Sequence, residues 1–224
     1  MAIEGKDQIL FLTRNRFYYT DGSQILTLDF PTNVVKDLDV VDKDGFHGLI
    51  TSFIVNNKLV ASQIFFVLSE SVCFIKNFDT NEKTDFSAVD LEAKLYIDSV
   101  PFTSVVTKTY KNPTNVSVVV ANQDLIDSIF MAFEDKGFGV SALFPASMIS
   151  EIGAITELTL DKAKIILDKK DLAITSSMVG ERTVNEQHLA TSQNAVPKNK
   201  FLPYLMGVFV VLIFVFVWLM FFRG

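Results

Sequence analysis

The stretch that decides the fold is QILFLTRNRFYYTDGSQILTLDFP, Gln8–Pro31. Two runs rich in Ile, Leu, Phe and Tyr meet at the tight connection Arg14-Asn15. The triplet Asp21-Gly22-Ser23 is a hairpin signal, and the third run alternates apolar and polar residues until Pro31 closes it. Three antiparallel strands in a meander are expected. An acidic segment, KDLDVVDKDG, follows. FHGLITSFIVNNK then places Phe46, Leu49, Ile50, Phe53 and Ile54 at helical spacing, with Asn56-Asn57 ending the helix.

Beyond that helix, SQIFFVLS and SVCFIKNF read as two strands joined by Ser69-Glu70-Ser71. The first is almost continuously apolar, as a strand covered on both faces would be. FSAVDLEAKLYIDS reads as a helix with Val89, Leu91, Leu95 and Tyr96 turned inward. FTSVVTKTY and NVSVVVAN are β-branched strands around the turn KNPT. NQDLIDSIFMAFEDKG is the clearest helix. Asn122 caps it, Asp124 sits at its positive end, Gly137 supplies a left-handed stop, and Leu125, Ile129, Phe130 and Phe133 form the buried stripe. A short strand GFGVSALF follows, and Pro145 is expected to open a short helix ASMISEI. The element order predicts an α/β lobe over residues 1–155, one further helix over 156–171, and a polar, aperiodic flexible linker over 172–200.

Residues 201–222, FLPYLMGVFVVLIFVFVWLMFF, carry no charge. As a helix they span ~33 Å, against a hydrocarbon core of ~30 Å. A transmembrane helix is therefore expected from Phe201 to Phe222. Tyr204 and Trp218 would lie in the two interfacial belts, with Lys198 and Lys200 before the span and Arg223 after it. A buried core helix is the alternative, but such helices rarely run so long without a polar residue. The N-terminal MAIEGKDQ has no apolar signal region. Together with the lysine bias, this predicts a single-pass protein of the cytoplasmic membrane with its N-terminal lobe in the cytoplasm, in contact with the lipid bilayer.

A net charge of −6 and a pI near 4.9 exclude a general nucleic-acid binder, which needs a basic face. Cys73 is the single cysteine and reads as a buried, inert thiol. His47 and His188 stand far apart in unlike contexts, so no metal site is expected. The carboxylates Asp37, Asp39, Asp42 and Asp44 before Gly45 do not fit a calcium loop. Counting from Gly45 as the turn glycine, positions one and twelve fall on Val40 and Thr51. The glycines of Gly137–Gly139 follow a helix instead of preceding one, so they fit a helix stop better than a phosphate loop. No nucleophile has a base beside it: Ser69 and Ser71 flank Glu70 without a histidine nearby. Neither a catalytic group nor a cofactor is expected, and the oligomeric state is left open.

Two segments make the order specific. LEAKLYIDSVPFTSVVTKTY, Leu91–Tyr110, and VVVANQDLIDSIFMAFEDKGFGVSALFPASM, Val118–Met148, resemble stretches of the PilM family of type IV pilus assembly proteins and of the cytoplasmic domain of GspL from type II secretion. The resemblance covers roughly residues 8–150. It implies an actin-like, RNase-H-type lobe. Full members have two such lobes around a nucleotide, whose phosphates are held by an Asp-x-Gly at the first strand's turn. Here that turn reads Thr13-Arg14-Asn15-Arg16, and the residues after Pro145 leave no room for a second lobe. The expectation is a non-enzymatic scaffold whose partners are inner-membrane platform proteins or the cytoplasmic motor of a pilus or secretion machine. A general single-span adaptor and a degenerate actin-family nucleotide-binding protein are the alternatives.

Overall fold

Alternate residues of the first strand go to opposite sides of one sheet, and this sets the layers. The computed structural model describes residues 7–81, 84–112 and 114–179. Within them β1 (Gln8–Thr13), β2 (Arg16–Thr20) and β3 (Leu26–Asp29) form the expected antiparallel meander. β6 (Gln63–Leu68) adds parallel to β1, and β10 (Gly139–Pro145) adds parallel to β6. The five-stranded order is β10-β6-β1-β2-β3, so β2 alone runs against the rest. The protein is a mixed α/β fold with this central sheet and several helices.

Leu10, Leu12, Phe17, Tyr19, Ile64 and Phe66 face one layer, made by α1 (Lys43–Asn56) and α3 (Gln123–Glu134). Ile9, Phe11, Tyr18, Phe65, Val67 and Phe144 face the other, made by α4 (Leu160–Asp168), α5 (Lys170–Thr175) and the irregular chain before them. Period-two alternation inside runs that are apolar on both sides produces this three-layer arrangement. A second sheet, β7-β9-β8, is antiparallel throughout: β7 (Cys73–Asp79), β8 (Val105–Lys111) and β9 (Asn115–Asn122). α2 (Phe86–Ser99) covers one of its faces.

The stripes of α1 and α3 are buried as read, and Asn122 accepts from the backbone N–H groups of Asp124 and Leu125. Gly137 adopts φ +86° behind α3, a conformation a side chain disfavours.

Four expectations are corrected. The acidic segment is not a plain loop: β4 (Val35–Lys36) and β5 (Asp39–Val40) form a two-residue hairpin. Its tip, Asp37-Leu38, has φ +51° and +74°, as a type I′ turn requires. Asp42 then caps α1 by accepting from Gly45 N–H. A Cβ on Gly45 would lie 2.2 Å from the Asp42 carboxylate, so the cap needs glycine there.

Pro145 ends β10 instead of opening a helix, and only a 3₁₀ turn follows at Ala146–Met148. Ile149, Ile152, Ile155 and Leu158 pin the irregular chain to the sheet, so burial is achieved without helical spacing. In α2, Val89, Ala93, Tyr96 and Ile97 face the small sheet, whereas Leu91 and Leu95 are each 61% exposed. At ~100° per residue the two pairs named from sequence, Val89/Tyr96 and Leu91/Leu95, lie on opposite faces. Finally, residues 172–179, expected to begin the linker, are folded: α5 runs through Thr175 and Met178 is fully buried. Residues 180–200 lie outside the described residues, as do Lys198, Lys200, the span with Phe201, Tyr204, Trp218 and Phe222, and Arg223. Among the described residues no helix is long and apolar enough to cross a membrane.

Candidate functional site

One face of the small sheet packs into the core of the large one, and the groove lined by residues of both is the site. On β9, Val116, Val118 and Val120 point to α2, so Ser117, Val119 and Ala121 point the other way. Register aligns Ser117 with Asn77 on β7 and Tyr110 on β8, and Ala121 with Cys73 and Val106. The Ala121 end of this face packs into the main core. The Ser117 end opens into a groove of about 690 Å³, closed across from it by Glu70, Ser147 and Met148 at the ends of β6 and β10. Asn77, Asn112, Asn115 and Ser117 form its polar wall, and the Ser117 hydroxyl donates to Asn77 Oδ1 at 2.6 Å. Asn112 Nδ2 donates to Asn115 Oδ1 at 3.0 Å, and the donors and acceptor capacity that remain on the three carboxamides match a peptide main chain. Among the described residues the lining holds one carboxylate, Glu70, and no lysine or arginine.

A strap fixes the width of this groove. Tyr110 Oη donates to Ser176 O at 2.8 Å, and Lys108 Nζ donates to Ser177 O. On the other side, Met178 N–H donates to Leu143 O at 2.7 Å and Leu143 N–H to Ser177 Oγ at 3.1 Å. Residues 176–178 thus tie β8 of the small sheet to β10 of the large one, and they cover part of the β10 edge that would otherwise present unpaired backbone.

Cys73, expected to be buried, is partly buried and lines the groove. Burial, and secondarily the Glu70 carboxylate, pushes its thiol up to about 12. The thiolate is the reacting species. In the native chain at pH 8, Cys73 is therefore expected to react with an aromatic disulfide reagent roughly 100-fold slower than in urea. Native labelling within tenfold of the unfolded rate would contradict the burial.

Of the chemistry weighed from sequence, Asp37 pairs with Arg14 at 3.0 Å and His47 with Asp135 at 2.9 Å, both at the surface. Ser69 and Ser71 share a 2.6 Å hydroxyl contact in the turn after β6. Among the described residues no cluster of three metal-ligating side chains occurs. Sequence reasoning did not bring the groove's asparagines together: Asn115 reads only as the first residue of a glycosylation triplet, Asn115–Ser117, and of the three only Asn77 lies inside a strand, where asparagine is disfavoured.

No protein-family model and no curated protein matches the chain. Among solved structures it is similar to a PilM-PilN type IV pilus biogenesis complex, with a TM-score of 0.46 and 12% identity over 66% of this chain and 49% of that one. It is also similar to the cytoplasmic domain of EpsL, an inner membrane component of the type II secretion system of Vibrio cholerae. There the TM-score is 0.38 and the identity 11%, over 64% of this chain and 58% of that one. The chain spans about half the length of these two chains.

Proposed function

We propose that the protein is a membrane-tethered, non-enzymatic scaffold of an inner-membrane assembly platform of the type IV pilus or type II secretion kind. Its lobe is actin-like and cytoplasmic, held to the bilayer by a helix over residues 201–222. The observation that carries the reading is the amide-lined groove between a small inserted sheet and a five-stranded sheet in which β2 alone is reversed. That sheet is the one an actin-like lobe has, and the order of elements along the chain carries the sequence resemblance.

The groove suits a short extended segment of a platform protein, bound through its main chain. It suits a nucleotide poorly. Among the described residues the lining has a carboxylate and no cation to offset polyphosphate charge. The turn where an actin-like lobe grips phosphate holds Arg14-Asn15, with Arg14 engaged by Asp37. Tethering supports weak docking by raising the local concentration of the lobe at the membrane.

The test is cross-linking and affinity capture of the full chain from native membranes, beside a form ending at Val179, which keeps the strap. Pilus or secretion platform proteins are expected with the full chain and in smaller yield with the shortened one. Ser117→Arg, which fills the groove, is expected to abolish recovery while circular dichroism is unchanged. Recovery of no such protein with either form would favour the general adaptor. Nucleotide-dependent thermal stabilisation would favour the degenerate nucleotide binder.

A further inference from the structure

The outer face of α2 is unusual for a surface helix. Its inner face, with Val89, Ala93, Tyr96 and Ile97, is fully used by the small sheet. Yet Leu91 and Leu95 lie on the side turned away from that sheet, each 61% exposed. One turn apart, they form a stripe continued by Ala88 and Asp98, both exposed. Glu92 and Lys94 flank the stripe at about 80° on opposite sides. Neither has an ion-pair partner among the described residues. Ala88, Leu91 and Leu95 make an apolar line that ends at Asp98 in the last turn, with a charge of each sign beside it, and that is the layout of a helix that pairs with another helix.

We propose that this face is a self-association surface, on which a second copy of the chain docks with the two α2 helices side by side and parallel. Charge decides the occupant and the direction. Including its cap, the helix carries Asp85, Asp90, Glu92 and Asp98 against Lys94, which disfavours an anionic lipid surface; between two copies that repulsion is offset only where Glu92 of one meets Lys94 of the other. In a parallel pair each helix sets its left flank against the other's right flank. Glu92 then meets Lys94 of the second copy twice over, around a seam made by Leu91 and Leu95. In an antiparallel pair like flanks meet, bringing glutamate to glutamate and lysine to lysine.

Two leucines supply only part of the ~800 Å² per partner typical of a stable interface. The pair therefore forms where copies are concentrated. On the membrane proposed above, tethering supplies that concentration, and this part of the inference rests on that reading.

Single-cysteine substitutions in the full chain, in native membranes, test it. The unmodified chain, whose only thiol is the partly buried Cys73, gives the baseline. With a short thiol cross-linker, Leu91→Cys and Leu95→Cys are each expected to give a covalent homodimer several-fold above Val60→Cys, a more open site off the helix. Glu92→Lys added to Leu95→Cys is expected to cut the yield several-fold, and Glu92→Lys with Lys94→Glu to restore it. Yields no higher than at Val60, or yields indifferent to the charge swap, overturn the proposal. Cross-linking only between co-expressed Leu91→Cys and Leu95→Cys chains overturns the parallel arrangement. If the chain fractionates away from membranes, the tether reading fails alone. The same cysteine pairs, cross-linked in the purified chain at high concentration, then decide the surface.

Discussion

Phe17→Ala is expected to destabilise the protein by about 3–5 kcal/mol, the range for deleting a fully buried phenylalanine. Phe17 has no exposed surface, and its ring meets Phe53 at 5.1 Å, Phe133 at 5.9 Å and Phe30 at 6.0 Å, all edge-on. It stands where β2, α1, α3 and the segment after β3 converge, so the surrounding elements cannot collapse together into the space. Edge-to-face pairs add up to about 1.5 kcal/mol each beyond the area they bury. Against a typical domain stability of about 5–15 kcal/mol, this is a large fraction. A melting temperature lower by roughly 10 °C is the readout. Val60→Ala, at an exposed position, should change stability by less than about 0.5 kcal/mol. A loss below about 1 kcal/mol for Phe17→Ala would mean that the aromatic junction is not packed as described.

Asn122→Ala is expected to lose about 2–4 kcal/mol, because one carboxamide serves two structures. Its oxygen caps α3, worth about 1–2 kcal/mol. Its Nδ2 donates to Leu38 O at 3.0 Å, at the left-handed tip of the β4–β5 hairpin, and this carbonyl is buried. Leaving such an acceptor unpaired costs about 1–3 kcal/mol. Asn122→Ser keeps a capping oxygen but cannot reach Leu38, so it should lose only the second part. Chemical denaturation of the three chains separates the contributions. Equal losses for serine and alanine would assign the whole effect to the hairpin, and no loss for serine would assign it to the cap.

The element order was legible because each element has a local cause. Period-two runs bounded by Arg14-Asn15 and Asp21-Gly22 make the meander, and a capped 3.6-residue stripe stopped at Gly137 makes α3. Leu91 and Leu95 were misread because α2 is apolar on two faces. Periodicity identifies a helix but does not say which of two apolar faces meets the sheet. The 3₁₀ turn after Pro145 was missed for a related reason. Ile149, Ile152, Ile155 and Leu158 are held by the sheet beneath them, not by helical hydrogen bonds.

By itself the sequence determined the three-stranded meander, the strands and helices after it up to β10, and the Asn122 cap of α3, all set by residues within a few positions of one another. The tertiary structure alone decided the groove, the strap and the second duty of Asn122. Each joins residues far apart along the chain: Asn122 with Leu38, Tyr110 with Ser176, and Leu143 with Met178. Such pairings come from how two sheets stack and where the chain returns across them. No local pattern of side chains records that.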